Sequence, residues 1–455
     1  MTLQRQLDSR FDGAAAALDW VKNCVGISDF YIALGHYKRC ALALMTAEVV
    51  LTRHVLEVPV AGPATRPEES DAECDARAAA VEVAADLNRR LAHLDIIVLK
   101  RAYERRLVQG NCKEAGVSFE EPHADDADDE DDGVCAKATL KSDEAASSRS
   151  KDSEGSVAFE FFKGIAVGVV PYLCAGDICT FEQARCVFLR ASVRLDAAKS
   201  FYLLDGFVSD HVALLQEQSK NYHYLAGFEA DVKRQAAMET KRADLLSPLL
   251  QQLSAIAFEG LHKEVSYELG EVYMTLHDIK IEKIRSRRSD GVVSGDVVKK
   301  AELENSNTLC HKAVASFTHY LSFFAPAEDN TSRGVGDFVN MERGQMFAVA
   351  TTKPNLAAIS EQEVRSFLNS HFLICRMLSK MLIPSCSDPH QRSAYIVICL
   401  KRYEWLVKFT PMLCKSKNVP LGETFDEEHN ICRDMAELLP SKINRIHHYG
   451  ESPTL

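Results

Sequence analysis

The sequence lacks the local patterns that mark most metal sites, phosphate sites and membrane spans. Its 14 cysteines include no C-x-x-C pair, which argues against a zinc site and against the disulfide framework of small secreted proteins. Gly334 and Gly336 lack the flanking strand and the lysine that a phosphate-binding loop requires. The most apolar run, residues 164–176, contains Pro171 and is too short to span a bilayer. We therefore expect neither a cofactor nor membrane insertion.

The chain lacks a net positive charge, and strand patterns are scarce. The formal net charge is -12, which argues against a nucleic-acid partner because phosphates require a basic face. Alternating β-branched runs are few and brief, so the 455 residues fit an extended array of helices better than two or three ordinary domains. No apolar run accompanies Arg5, Asp8 and Arg10 at the amino terminus. We expect no signal peptide and a cytoplasmic protein.

The strongest helical pattern lies in residues 181–242. Small and aromatic residues recur there at the spacing of the second helix of a tetratricopeptide hairpin, where small side chains let helices approach closely: Phe181, Ala184, Phe188 and Ala191. Asp205 and Gly206 then predict a chain reversal, because glycine tolerates the dihedral angles of a turn. An apolar stripe from Val208 to Val232 predicts one long helix that Pro248 ends.

The rest of the chain reads as further helical hairpins. Residues 14–51 carry a turn glycine, Gly35, at tetratricopeptide spacing, and a helix follows from Ala76 to about Val108. From Val157 we expect helices to resume. Leu269, Gly270 and Tyr273 have the spacing of a first tetratricopeptide helix, whose predicted partner spans residues 307–324. Further helices are predicted at residues 341–351, 361–381, 393–410 and 425–448, with breaks at Pro354, Pro384 and Pro420.

Composition divides this all-α chain into three segments. Residues 1–110 form a helical hairpin and a following helix, residues 111–155 form an acidic, serine-rich linker, and residues 156–455 form a carboxy-terminal tetratricopeptide-like domain. Repulsion among like charges predicts that the linker is disordered. It is either a solvated linker or a tail that binds basic partners.

No catalytic signature stands out. The adjacent pair His447 and His448 does not share a helix face, so a solvated helix end explains it better than a metal site. Most cysteines, such as Cys186 and Cys399, sit in apolar helical patterns that indicate buried reduced thiols. An enzyme that uses Cys174 or Cys186 as its nucleophile is one alternative, because the side chains that assist a catalytic cysteine can lie far away in sequence.

Two basic clusters are candidate binding sites. Arg287 and Arg288 fall in a predicted loop between paired helices, where repeat proteins often bind acidic partners. An exposed charged loop that only keeps the protein soluble is the structural alternative. Lys233 and Arg234 fall late in the predicted long helix, where positive charge complements the helix dipole without any partner.

Specific residues at the 205–206 reversal resemble a known family. The runs 198–202 and 205–211, with Leu225, Phe228, Glu229, Asp231 and Arg234, resemble a segment of the KIF-binding protein family of kinesin-binding, tetratricopeptide-like proteins. Residues 438–442 look like the family's closing helix. The family's amino-terminal repeats have no counterpart ahead of Met1, so we expect a shortened member or a fragment.

The resemblance implies a non-enzymatic adaptor. Family members hold kinesin motor domains by their microtubule-binding side, which regulates organelle and mitochondrial transport and microtubule organisation. This implies a cytoskeleton-associated protein, with Asp205, Ser209 and Asp210 at the matched turn as partner contacts. Alternatively, Asp210 merely caps the following helix. The second interpretation is a generic tetratricopeptide scaffold that binds a peptide tail or a chaperone.

Overall fold

The predicted all-α fold is confirmed. The computed structural model describes residues 3, 11, 13–56, 71–114, 159–162, 165–167, 175–289, 300–325, 354–381 and 389–449. Residues 115–155 of the predicted linker, the predicted helix at 341–351, Pro384 and Cys174 lie outside the described residues, whereas the backbone of residues 111–114 is helical.

Helices account for most of the described backbone. In chain order they are α1 (Ala14–Ala33), α2 (Tyr37–Leu51), α3 (Asp71–Glu114), α4 (Phe181–Lys199), α5 (Val208–Ala226), α6 (Val232–Leu246), α7 (Leu249–Gln252), α8 (Glu259–Ser289), α9 (Lys300–Ser322), α10 (Val364–Ser379), α11 (Pro389–Lys417), α12 (Leu421–Thr424) and α13 (Asp426–Tyr449). Two short strands, β1 (Phe159–Phe162) and β2 (Ile165–Val167), pair antiparallel between α3 and α4. None of the described helices is long and apolar enough to cross a membrane.

The chain divides into two compact units, Met1–Glu229 and Ala230–Leu455. Both flanks of the predicted acidic linker therefore belong to the first unit. The division into segments 1–110, 111–155 and 156–455 stays a prediction.

In the first unit, α1 and α2 form the predicted amino-terminal hairpin. Gly35 in the connection has a φ of 80°, a backbone conformation that glycine adopts without steric cost. The expected return of helices at Val157 is wrong, because the β1–β2 hairpin comes first. Its apolar side chains join the core of α1 and α2, where the Phe162 ring meets the edge of Trp20 at 5.3 Å between centroids.

The same unit continues as three helices in up-down-up order. Arg190 of α4 donates a hydrogen bond to Asp95 of α3. Arg194, one turn later in α4, donates to Asn88, which lies about two turns earlier in α3. The two helices therefore run antiparallel. Small residues line their contact, which lets the helices approach closely: Ala85, Ala92, Ala191 and Ala198. α5 then packs against both helices.

The predicted single long helix that Pro248 ends is wrong, because two helices occupy this stretch. α5 ends at Ala226, and α6 begins after Asp231, whose side chain accepts a hydrogen bond from the Lys233 amide at 2.9 Å. A Cβ at Gly227 would lie 2.2 Å from the Tyr103 ring. The ring of α3 therefore occupies the space beside the break, and only glycine fits there.

In the second unit, helices adjacent in sequence pack against each other. The predicted pairing of the Gly270 helix, α8, with the helix of residues 307–324, α9, is confirmed. The contacts His262–His319 and Tyr273–Lys312 show that the two helices run antiparallel. α9 packs on α10, α10 on α11, and α11 on α13, so the predicted helices at 361–381, 393–410 and 425–448 are confirmed with small shifts of their ends.

Candidate partner-binding surface

The candidate surface is the turn of residues 200–207, which joins α4 to α5 in the first unit. The Phe207 amide donates to the Leu203 carbonyl at 2.9 Å, and the Gly206 amide donates to the same carbonyl at 3.2 Å. The Nδ1 atom of His211, one turn into α5, lies 2.8 Å from the Tyr202 carbonyl oxygen. These bonds tie the predicted reversal to both helices.

Three aromatic rings of this turn pack against one another. Phe201, Tyr202 and Phe207 lie 5.0–5.4 Å apart between ring centroids. Tyr202 is buried, but Phe207 is 40% exposed and Leu203 is 56% exposed. The turn therefore presents two neighbouring exposed apolar side chains, and contiguous exposed apolar groups are a feature of protein interaction sites.

The structure separates the roles of the three acidic and polar residues predicted at this turn. Asp205 and Ser209 are exposed. Asp210 is partly buried, and its carboxylate accepts a hydrogen bond from the Arg89 guanidinium of α3 at 2.6 Å. The Arg89 guanidinium also lies over the Tyr202 ring, 6.0 Å from its centroid. Asp210 thus holds the start of α5 against α3.

The interpretation of Asp210 as a cap of α5 is wrong. The residue at the cap position is Phe207, which makes no capping hydrogen bond, and Asp210 lies inside the first turn. There its negative charge is still favourable, because the amino-terminal end of a helix carries partial positive charge.

Ion pairs fix α4 beside the turn, and one of them involves the buried carboxylate of Asp95. Arg190 donates two hydrogen bonds to Asp95, at 2.9 Å and 2.6 Å, and Arg194 donates two to Glu48, at 3.0 Å and 3.1 Å. Burial raises the pKa of Asp95, and the bonds from Arg190 act against that rise. None of these pairs was predicted. The only sequence signal was a charged residue, Asp95, inside the apolar stripe of α3.

The predicted basic cluster at Lys233 and Arg234 lies in the second unit, in the first turn of α6. Both side chains are exposed, and the Arg234 Nε atom is 3.7 Å from Asp231. The interpretation that these charges complement a helix dipole is wrong, because they lie at the amino-terminal end, where positive charge is unfavourable. The cause is the unpredicted break after Ala226.

The predicted loop at Arg287 and Arg288 is also wrong. α8 continues to Ser289, so the backbone of both arginines is helical. Residues 281–289 contain isoleucine, glutamate, lysine and arginine, which favour or tolerate a helix. The side chains of Arg287 and Arg288 lie outside the described residues.

The described residues contain no group of three or more histidine, cysteine, aspartate or glutamate side chains placed to hold a metal ion. Of the cysteines singled out from sequence, Cys399 is buried as predicted, whereas Cys186 is exposed. The prediction for Cys186 failed because it lies on the outer face of α4.

Paired helices, ion pairs between them and a braced, exposed turn define an all-α protein built from helical hairpins. The chain belongs to the family described as KIF-1 binding protein C terminal, whose model matches residues 18–446. The resemblance inferred from residues 198–211 is thereby confirmed.

Relatives named KIF-binding protein come from several animals. The chain is 24% identical over 446 residues to the protein of Danio rerio, which covers 98% of this chain and 61% of the relative. It is 24% identical over 269 residues to the Homo sapiens protein, a match that covers 36% of that relative. It is 25% identical over 270 residues to the Drosophila melanogaster protein, a match that covers 38% of that relative. The chain thus spans less than two thirds of the length of these relatives. No solved structure matches it.

Proposed function

We propose that this protein binds the motor domain of a kinesin and covers the side of the motor that engages the microtubule. The observation that supports this most strongly is the family match, which extends over residues 18–446 and includes the turn of residues 200–207. The relatives are named for binding a kinesin rather than for a reaction. The mechanism is occlusion and involves no catalysis.

The charge of the chain fits such a partner. The track-binding surface of a kinesin is basic because microtubules are acidic, and a protein with a net charge of -12 attracts it. At the turn, exposed Asp205 supplies negative charge beside exposed Leu203 and Phe207. An apolar centre with a charged rim is the composition of a protein interface, in which apolar anchors supply most of the affinity.

The cellular consequence follows from occlusion. A motor held in this way cannot pull cargo, so the protein regulates organelle transport, including that of mitochondria, and the organisation of microtubules. This role places it in the cytoplasm, associated with the cytoskeleton, with no nucleic-acid partner.

Co-sedimentation of kinesin motor domains with microtubules tests this proposal. Each motor of a panel is mixed with microtubules in the nucleotide state that binds most tightly, with and without the full chain. We expect at least one motor to move from the pellet to the supernatant as the chain is added. A pull-down without microtubules runs in parallel. A motor that binds the chain but stays in the pellet contradicts occlusion alone, and a panel in which no motor binds contradicts the whole proposal.

A further inference from the structure

A buried arginine in the second unit carries a charge that the described protein does not neutralise. Arg402 in α11 is 4% exposed. Its Nε and Nη1 atoms are buried and have no hydrogen-bond partner among the described residues. No aspartate or glutamate of the described chain forms an ion pair with it. A guanidinium does not lose its proton in a protein, so burial without a counter-ion is strongly unfavourable.

A second buried polar group lies near this guanidinium. His371 of α10 is also 4% exposed, and its Nδ1 atom has no hydrogen-bond partner within the described part of the chain. Its ring packs on Trp405 of α11 at 4.6 Å between centroids. Burial and the charge of Arg402 lower the pKa of His371, so the imidazole is neutral and brings no second positive charge.

The thiols of Cys375 and Cys399 act electrostatically on this guanidinium, but each is occupied as a hydrogen-bond donor. The Cys375 Sγ atom donates to the Cys399 carbonyl at 3.9 Å, and the Cys399 Sγ atom donates to the Cys375 carbonyl at 3.3 Å. Burial raises the pKa of the Cys375 thiol well above its ordinary value, even beside Arg402. These thiols therefore do not serve as the counter-ion.

We propose that Arg402, together with His371, binds a small inorganic anion such as phosphate or chloride inside the second unit. A guanidinium offers a planar set of donors that matches an oxyanion, and the neighbouring imidazole nitrogen adds a further polar contact. A small anion fits better than an acidic side chain of a partner, because both residues are almost fully covered. The role of the anion is to neutralise the junction of α10 and α11, and it does not depend on kinesin binding.

Thermal unfolding of the full chain tests this site. The probes are sodium phosphate and sodium chloride, with ionic strength held constant by sodium gluconate, whose anion is too bulky for a closed site. At a phosphate concentration tenfold above the dissociation constant, we expect the midpoint temperature for unfolding of the second unit to rise by about 3 °C. The Arg402→Met variant should show no such rise. In gluconate alone it should be at least as stable as the wild type, because the uncompensated charge is gone.

The matched control is Arg433→Met, since Arg433 is exposed on α13 and bonds to Asn430. This variant should keep the full response to phosphate, and any general salting effect should appear equally in all three proteins. An equal response of the wild type and Arg402→Met to both anions overturns the proposal. A thiolate at Cys375, detected by ultraviolet absorbance at neutral pH, also overturns it, because the counter-ion is then internal.

A second measurement avoids any folding defect of the arginine variant. Trp405 packs on His371 and is one of only two tryptophans in the chain, the other being Trp20. In a Trp20→Phe protein, phosphate added at constant ionic strength should change the fluorescence of Trp405 along a saturating curve. A fluorescence that stays constant up to the highest phosphate concentration contradicts an anion at this position.

Discussion

Gly270 of α8 lies directly under the ring of Phe317 of α9, and a Cβ atom placed at Gly270 would be 2.6 Å from the ring carbons. Carbon atoms do not approach that closely, so the two helices are packed at a distance that only glycine permits. Phe317 is fully buried. The spacing of this hairpin therefore depends on one hydrogen atom in place of a methyl group.

Gly270→Ala should destabilise the second unit by about 1–2 kcal/mol, because overpacking against Phe317 outweighs the better helix propensity of alanine. Gly260 lies in the same helix, and nothing comes within 4 Å of a Cβ built there. Gly260→Ala should therefore leave stability unchanged or raise it by up to about 1 kcal/mol. Urea unfolding of the two variants measures the difference, and a stabilising Gly270→Ala would contradict the packing argument.

Removing Arg190 should destabilise the first unit by about 3 kcal/mol, because the buried carboxylate of Asp95 is then left unpaired. The double variant Asp95→Leu, Arg190→Met should recover most of this loss, since no buried charge remains. Unfolding of the two single variants and the double variant gives the coupling energy of the pair. Additive single effects would show that the two side chains act independently.

The buried histidines of α8 and α9 should make the second unit sensitive to acid. The His262 Nδ1 and His319 Nε2 atoms are 3.2 Å apart, and burial lowers the pKa of His319 to about 3, with the neighbouring His262 as a second cause. Unfolding frees His319 to bind a proton at its ordinary pKa of 6.5. Stability is therefore fully present above pH 6.5 and falls as the pH drops towards about 3.

At pH 5 this loss amounts to about 2 kcal/mol from His319 alone, at about 1.4 kcal/mol per pH unit. His319→Phe removes the titrating group while keeping a ring beside Phe323, so its stability should fall less between pH 7 and pH 5. The matched control is His448→Gln, which changes an exposed histidine and should keep the wild-type slope. Urea midpoints at both pH values check this, and equal slopes for all three proteins would contradict it.

The proposed function predicts that the turn of residues 200–207 carries part of the affinity for a kinesin motor domain. Asp205→Lys reverses an exposed charge, and Leu203→Ser removes an exposed apolar side chain. Neither substitution changes a core residue, because both side chains are exposed. We expect each to weaken motor binding by about tenfold, a typical effect at an interface anchor. Binding titrations with the motor that responds in co-sedimentation provide the measurement.

The control for this surface is Asp19→Lys, which reverses an exposed acidic charge on α1. It produces the same change of net charge as Asp205→Lys. If both lysine variants weaken binding equally, the effect comes from overall charge and the turn is not the contact.

Periodicity and turn chemistry predicted most of the helices. Gly35 and the Asp205–Gly206 reversal marked real turns, and the apolar spacing around Gly270 identified its partner helix from more than thirty residues away. The break after Ala226 was missed, because the apolar stripe runs on through Phe228 and Val232 as if the helix were continuous. Gly227 at this break lies against the ring of Tyr103, a neighbour far away in sequence.

The candidate surface was predicted in part. The location of the turn, with exposed Asp205 and Ser209, followed from local residues. The role of Asp210 did not, because its partner Arg89 lies 121 residues earlier in the chain. The extended helix at Arg287 and Arg288 was missed because the glycines that follow suggested an earlier end.

The sequence by itself determined the all-α class, the turns at Gly35 and at Asp205–Gly206, and the family, because all three depend on residues close together in the chain. Only the tertiary structure decided which charges are buried and what they meet. Arg190 reaches Asp95 across 95 residues, whereas Arg402 is buried with two nitrogen atoms unmatched by any described residue. Both are arginines within helices. Burial and partners depend on how separate helices pack, and no local pattern carries that information.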